Sequence, residues 1–153
     1  MLRVDVREIR RGPVETNGSV PAADPLFAGL ELALAGPLDI IGTLEITGRG
    51  DYVWHGRFSG RTKANCSRCL QELEVPVSAA VEAVFSADPD LQDDPSVYPL
   101  AEPVGVIDVT AAVREELAFA ISRFPLCRDD CAGLCPKCGA DLNQGPCGCG
   151  GSK

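Results

Sequence analysis

Eight cysteines constrain this chain more than any other feature of its sequence. Six of them fall within one short C-terminal segment, CRDDCAGLCPKCGADLNQGPCGC, which runs from Cys127 to Cys149. The other two, Cys66 and Cys69, form a separate C-x2-C pair in the middle of the chain. A short cysteine pair supplies two thiolates from one backbone turn, and a structural zinc ion takes four such ligands. The cysteines therefore predict two zinc ions per chain.

Whether these cysteines bind metal or form disulfides depends on how reducing their cellular compartment is. The opening residues, MLRVDVREIRRG, do not contain the apolar run of a signal peptide. No stretch approaches the ~18 apolar residues of a membrane-spanning helix. We therefore expect a cytoplasmic protein without a membrane partner, where thiols stay reduced and C-x2-C pairs bind metal. The alternative is a thiol-redox or iron–sulfur protein that uses the same pairs.

The eight cysteines can be divided between two sites in more than one way. In the preferred division, one complete set lies within the tail: Cys135, Cys138, Cys147 and Cys149. Pro136 and Gly139 support this set, because proline fixes the turn and glycine accepts a positive φ. The second set joins the central pair to the tail: Cys66, Cys69, Cys127 and Cys131. Other divisions remain open, including one that joins the central pair to Cys135 and Cys138.

Alternating apolar and polar residues predict strands along much of the chain. Residues 2–8 alternate, and a polar stretch with no assigned strand follows from Arg10 to Pro25. The next strand positions are Leu38, Ile40, Leu44 and Ile46. A turn is expected at residues 48–51. Beyond it, two long alternating runs flank the central cysteine pair, with inward positions at Tyr52, Trp54, Phe58, Thr62 and Ala64, then Leu73, Val75, Val77, Ala79, Val81, Ala83 and Phe85. The pair is therefore expected at the tip of a β-hairpin.

One helix is expected before the cysteine-rich tail. Asp108 stands at an N-cap position, and apolar residues recur at helical spacing up to Pro125: Val109, Val113, Leu117, Ile121 and Phe124. Residues 86–103 are acidic and proline-containing, and they indicate a surface loop. The expected fold is α+β, an antiparallel sheet or partly open barrel with one packed amphipathic helix. We expect a β-rich domain over residues 1–125 and a zinc-bound tail over residues 126–153, docked on the hairpin.

Charge is distributed unevenly along the chain. The net charge of −8 disfavours non-specific binding to phosphate backbones. Between Gln71 and Val113 there are nine acidic residues and no Lys or Arg. Four basic residues, by contrast, lie on one strand face and at the hairpin tip: Arg57, Arg61, Lys63 and Arg68. They form either a solvated sheet face or a small contact surface for RNA or an acidic partner.

Catalytic chemistry is not indicated by the sequence. Cysteine alone can close both metal sites, whereas catalytic zinc sites keep one open position. His55, the only histidine, lies on the opposite face of its strand from Trp54 and is expected to be a solvated side chain. We therefore expect no enzyme and no small-molecule substrate.

Several motifs in this order resemble the YceD family, the large ribosomal RNA subunit accumulation proteins of bacteria and plastids. The motifs are CSRCL at residues 66–70, FPLC at residues 124–127, GLCPKCGADLN at residues 133–143 and the closing CGC at residues 147–149. The resemblance implies a non-enzymatic role in making or accumulating large-subunit (23S) rRNA. Its expected partner is a ribosomal protein, an rRNA-processing factor or rRNA itself.

Overall fold

The computed structural model describes residues 1–149, which form a mixed α+β fold as the sequence predicts. A six-stranded, mostly antiparallel open sheet has the order β2-β4-β5-β6-β7, with β3 also paired to β5, and β1 pairs separately with β8. The strands are β1 (Arg3–Asp5), β2 (Val14–Val20), β3 (Ala33–Leu34), β4 (Leu38–Ile46), β5 (Tyr52–Asn65), β6 (Glu72–Ser86), β7 (Val97–Pro99) and β8 (Val106–Asp108). The helices are α1 (Val6–Ile9) and α2 (Thr110–Ala120).

The long hairpin β5–β6 is the centre of the sheet. Its two strands pair from Tyr52↔Phe85 at one end to Asn65↔Glu72 at the other. The inward residues are those that the alternation predicts, because Tyr52, Trp54 and Phe58 are buried. Helix α2 packs against β6, and it buries Val113 and Leu117 on the same side. The predicted packing of a helix on the sheet is therefore confirmed.

Trp54 fixes β2 to the central strands. Its indole Nε1 donates a hydrogen bond to Thr16 Oγ1 at 2.8 Å, and both side chains are buried. The ring passes over two glycines: a Cβ on Gly56 would lie 2.2 Å from the ring, and one on Gly42 would lie 2.6 Å from Nε1. Any larger residue at either glycine would displace the indole from this position.

Two features near the N-terminus differ from the sequence prediction. The strand predicted over residues 2–8 ends at Asp5, because the Asp5 carboxylate accepts the backbone N–H of Arg7 at 2.8 Å and begins the single turn of α1. The polar stretch from Arg10 to Pro25 contains β2, which pairs with β4 along its whole length. The sheet therefore has one more long strand than predicted.

Helix α2 is shorter than predicted. It ends at Ala120, and Phe124, which the apolar spacing predicts on its apolar face, lies beyond the helix and is 79% exposed. Asp108 caps the helix from one residue before the N-cap position, since its carboxylate accepts the N–H and the hydroxyl of Thr110. The acidic segment 86–103 contains β7, which pairs in parallel with the end of β6. Neither α2 nor any other helix within residues 1–149 is long and apolar enough to cross a bilayer.

Candidate metal centres

The tip of the β5–β6 hairpin presents the central cysteine pair. The turn is closed by hydrogen bonds from Cys66 N–H to Gln71 O and from Leu70 N–H to Cys66 O, both 2.9 Å. Leu70 has a positive φ of 64°, which lets the chain reverse immediately after the second cysteine. Cys66 and Cys69 are both buried although they lie at a hairpin tip. Another part of the chain must therefore cover them.

The beginning of the tail provides that cover. The backbone N–H of Ser67 donates to Pro125 O at 2.8 Å, and Arg68 Nη1 donates to Cys131 O at 3.0 Å. These contacts hold the segment that follows α2 against the hairpin tip. The tip is thereby joined to residues that lie far away along the chain.

Four thiols meet at this junction: Cys66, Cys69, Cys127 and Cys131. Their Sγ atoms all lie within 4.8 Å of one another, and the pairs Cys66–Cys131 and Cys69–Cys127 are each separated by 3.7 Å. A tetrahedral zinc ion with Zn–S bonds of about 2.3 Å requires sulfur atoms about 3.8 Å apart. The donor set therefore fits such an ion. We call these four residues the junction cluster.

Backbone and side-chain donors point at the sulfur atoms of the junction cluster. The N–H of Cys69, with those of Cys127 and Arg68, lowers the pKa of Cys66 to about 6. The side-chain amide of Asn143 lies 3.3 Å from Cys131 Sγ and lowers the pKa of that thiol. Burial, with the neighbouring sulfur atoms, raises the pKa of Cys127 to about 12. The surroundings therefore favour some thiolates, whereas ionising all four together requires a cation.

The remaining four cysteines form a second group within the tail: Cys135, Cys138, Cys147 and Cys149. Their Sγ atoms also lie within 4.8 Å of one another. Its first pair forms a knuckle, in which Gly139 N–H donates to Cys135 O at 2.8 Å and Gly139 has a φ of 74°. The N–H groups of Cys138 and Lys137 lower the pKa of Cys135 to about 6. We call this group the tail cluster.

The grouping of the cysteines matches the preferred division of the sequence. The two clusters differ in the solvent exposure of their thiols. Three thiols of the junction cluster are buried, but in the tail cluster Cys138 is exposed and Cys147 and Cys149 are only half-buried. Binding of zinc to these residues stays a prediction.

Asn143 joins the loop of the tail cluster to the junction cluster, and it is not among the predicted site residues. It lies in the loop between Cys138 and Cys147, where Asp141 Oδ1 accepts its backbone N–H. Besides its bond to Cys131, its Oδ1 accepts hydrogen bonds from Ala132 N–H at 2.8 Å and from Arg128 Nη2 at 2.6 Å. The only sequence signal for this residue was its place at the end of the GLCPKCGADLN motif.

The four basic residues predicted as a contact surface are all exposed on the hairpin. Two of them have partners: Arg61 lies 3.1 Å from Glu74 Oε2, and Arg68 donates to carbonyls of the tail. Arg57 and Lys63 form no ion pair among the residues that the structure describes. A role in RNA or protein contact stays a prediction for all four.

Comparison with known proteins shows what the chain is similar to. The profile of the family described as "Large ribosomal RNA subunit accumulation protein YceD" matches residues 54–153, a range that contains all eight cysteines. Uncharacterised proteins of Mycobacterium tuberculosis and Mycobacterium bovis are each 31% identical over 156 residues, covering 95% of this chain and 72% of the relative. One from Mycobacterium leprae is 27% identical over 96 residues, covering 60% of this chain and 43% of its own.

No solved structure matches the chain at a significant level. The family match includes most of β5, all of β6 and α2, and both cysteine clusters, which are the parts of the molecule that build the candidate metal centres. The chain belongs to the YceD family of large ribosomal RNA subunit accumulation proteins.

Proposed function

We propose that this protein is a non-enzymatic, zinc-binding factor of ribosome biogenesis that supports the synthesis, processing or accumulation of large-subunit (23S) rRNA. The observation that carries the proposal is the family match over residues 54–153, because membership implies a role in accumulating this rRNA. The protein acts in the cytoplasm, where ribosomes are assembled and its thiols stay reduced.

The role of zinc is structural. Each cluster has four thiol donors, which saturate a tetrahedral ion and leave no position for water or substrate. Zinc in the junction cluster ties the tail to the hairpin tip, and zinc in the tail cluster orders the loop that contains Asn143. The thiols whose pKa is lowered, Cys66, Cys131 and Cys135, belong to these donor sets and so serve as ligands.

Two surfaces of opposite charge supply the contacts of the factor. Arg57 and Lys63, with Arg61 and Arg68, contact rRNA or an acidic partner through the exposed face of the hairpin. The acidic segment from Asp88 to Asp94 contacts a basic protein, either a ribosomal protein or an rRNA-processing factor. Exposure of all four basic residues and the absence of Lys and Arg between residues 71 and 113 support this assignment.

A strain that lacks the gene tests the ribosomal role. We expect a lower ratio of mature large-subunit to small-subunit rRNA, restored by the wild-type gene. An unchanged ratio would remove the ribosomal assignment.

The triple variant Arg57→Glu, Arg61→Glu, Lys63→Glu tests the basic surface in the same strain. We expect it to fold and to hold zinc normally, because all three side chains are exposed and none contacts a cysteine, but not to restore the rRNA ratio. The matched control is the reversal of Arg3, Arg10 and Arg11 to Glu, which changes the charge equally but away from the hairpin. If the hairpin variant fully restores the rRNA ratio, these basic residues are only a solvated face and contact no partner.

A further inference from the structure

Strand β6 has a partner on both sides only near its end. It pairs with β5 from Glu72 to Phe85, whereas β7 pairs only with Val84, Phe85 and Ser86. Among residues 1–149, no backbone group hydrogen-bonds to the other side of β6 between Glu72 and Ala83. Within residues 1–149, the one hydrogen bond to that side comes from a side chain, since Arg61 Nη2 lies 3.5 Å from Glu74 O. The sheet therefore has a long unpaired edge directly beside β7.

The orientation of Ser86 identifies which backbone groups face this edge. Ser86 O accepts the N–H of Leu100 at 2.8 Å, so Ser86 faces the side on which β7 lies. Backbone groups alternate in direction along a strand, and Ser78, Ala80 and Glu82 therefore face the same side. Pro76 has the same parity, and its missing N–H agrees with an edge position, because proline within a strand is found mainly at sheet edges and bulges.

Most natural sheets protect such edges with proline, lysine or a covering element. Pro76 protects one part of the β6 edge, but the next residues, 77–83, contain neither proline nor lysine. On the outer face of the sheet, the exposed side chains of this stretch are Ser78, Ala80 and Glu82, which are small or acidic. On the opposite face the residues are apolar, with Val77 and Val81 buried. An added strand would find backbone partners, a polar outer face and an apolar inner face.

We infer that the edge of β6 at residues 77–83 is a docking site, where an extended basic segment of a partner protein adds as a further strand of the sheet beside β7. The charge of β6 favours a basic segment: the strand has no Lys or Arg, Glu82 lies on the outer face of this edge, and the acidic segment Asp88–Asp94 follows the strand. Glu74 does not contribute to this charge, because it is already paired with Arg61. The segment that fits has Lys or Arg at alternate positions and small β-branched residues, such as valine or threonine, between them. The inference rests on the proposed function for the choice of a protein as partner.

Residue-resolved amide hydrogen exchange tests the edge directly. In the zinc-loaded full-length protein, we expect the outward amides of Ser78, Ala80 and Glu82 to exchange faster than the amides of Val77 and Val81, which face β5. A synthetic peptide that alternates lysine and threonine should slow the outward amides by about tenfold or more when it is bound at saturation. A peptide with the same lysines but a methyl group on every backbone nitrogen should not slow them.

Three outcomes of this experiment would overturn the inference. Slow exchange of the outward amides in the free protein would mean that the edge is already covered. Equal effects of the two peptides would mean that charge alone drives binding. Protection by a single-stranded RNA oligomer, without protection by the lysine–threonine peptide, would assign the surface to RNA instead.

Two variants localise the peptide to this edge. Ala80→Pro removes one outward N–H in the way that Pro76 already does, and it should weaken peptide binding by about tenfold. Glu82→Lys keeps the backbone intact and should weaken binding by about threefold or more at low salt. Glu45→Lys makes the same charge change on β4, away from the edge, and should leave binding unchanged. Equal affinity of the Glu82 and Glu45 variants would overturn the inference even if Ala80→Pro does not fold.

The rRNA ratio separates failure of docking from failure of the proposed function. If loss of the gene lowers the ratio but the lysine–threonine peptide does not bind, only the docking site is wrong. If the peptide protects the edge but the ratio does not change, the docking site stands and the ribosomal role fails.

Discussion

The junction cluster and the tail cluster have the same ligands, but they depend on different parts of the fold. In the junction cluster, the paired sulfur atoms belong to residues 65 and 58 positions apart, so the site exists only when the hairpin and the tail are both in place. The tail cluster is built within residues 135–149 from one knuckle and one short CGC turn. The same chemistry therefore serves a long-range connection in one site and a local fold in the other.

The two clusters are buried to different extents because they are built from different parts of the fold. The hairpin tip and the tail cover the junction cluster from two sides, and Cys66 is completely buried. The tail cluster lies at the end of the described chain with Cys138 exposed. We expect the two sites to differ in how fast they lose metal, in what their loss does to the protein, and in how far they depend on neighbouring residues.

Removal of metal should produce the largest effect. Protein purified without added metal should contain two zinc ions per chain, measured by elemental analysis. An excess of chelator should remove them in two steps, with the tail cluster first because its sulfur atoms are more exposed. Each structural zinc contributes on the order of 10 kcal/mol, so complete removal should disorder the tail while the sheet persists in circular dichroism.

The metal count also decides against the alternative function. A brown chromophore would indicate an iron–sulfur protein, and less than two zinc ions with reactive thiols would indicate redox use of the cysteine pairs. Release of both ions in one step would contradict the difference between the two clusters.

Removing one cysteine pair at a time should show that each cluster orders a different part of the chain. In Cys66→Ser, Cys69→Ser, the tail should detach while the sheet stays folded, so cleavage within residues 126–132 should accelerate by about tenfold or more. In Cys147→Ser, Cys149→Ser, that region should stay protected, and new cleavage should appear within residues 139–149. Limited proteolysis with mass spectrometry distinguishes the two patterns, and each variant should retain one zinc ion.

The cysteine-pair experiment also tests the predicted division into residues 1–125 and 126–153. If the Cys66, Cys69 variant unfolds as a whole, the junction cluster nucleates the sheet and the tail is not a separate unit. The same cleavage pattern in both variants would show that the clusters form a single cooperative site.

The parts predicted correctly from sequence are those fixed by local pattern. Alternation over β5 and β6 identifies the inward residues and places Cys66 and Cys69 at the tip, because side chains in a strand alternate strictly between two faces. The number of thiols predicts two sites of four, since each site takes four ligands. Their spacing favoured one division but left others open, and the tertiary structure groups them in the favoured way.

The parts of the structure that the sequence pattern does not predict depend on contacts between distant residues. Strand β2 has few apolar residues, and its buried polar residue, Thr16, accepts a hydrogen bond from Trp54 across β4. Helix α2 stops at Ala120 although apolar spacing continues, because the chain must leave the helix for Pro125 to reach Ser67 at the hairpin tip. The bond from Asn143 to Cys131 joins two turns of the tail, and no periodicity predicts it.

Asn143 provides a sharper test of how far the clusters depend on each other. Asn143→Ala removes the amide that donates to Cys131 and accepts from Ala132 and Arg128, and it leaves all eight ligands present. Mutation of a residue that orients a metal ligand in this way typically lowers the affinity for the metal by about 10- to 100-fold. We expect a loss of this size at the junction cluster, measured by competition with a chromogenic chelator.

The tail cluster should keep its affinity in Asn143→Ala, since its four ligands do not contact the Asn143 side chain. Gln144→Ala is the matched control, because Gln144 is the exposed neighbour of Asn143. Equal losses in the two variants would mean that the change disturbs the loop as a whole rather than the bond to Cys131.

The smallest effect is expected at Arg68, which holds the tail by hydrogen bonds alone. Arg68→Ala removes the donors to Cys131 O at 3.0 Å and Asp129 O at 3.5 Å, while the junction cluster keeps its four thiols. A hydrogen bond from a charged group contributes about 1.5–3 kcal/mol, and an exposed one contributes less, so we expect a loss of about 1 kcal/mol. Zinc content should not change, but amide exchange at Cys131 and Gly133 should become about fivefold faster. Arg57→Ala, which removes the same charge from the same hairpin without contacting the tail, should leave these amides unchanged. Loss of zinc from Arg68→Ala would show instead that the hydrogen bonds, and not the thiols, assemble the junction.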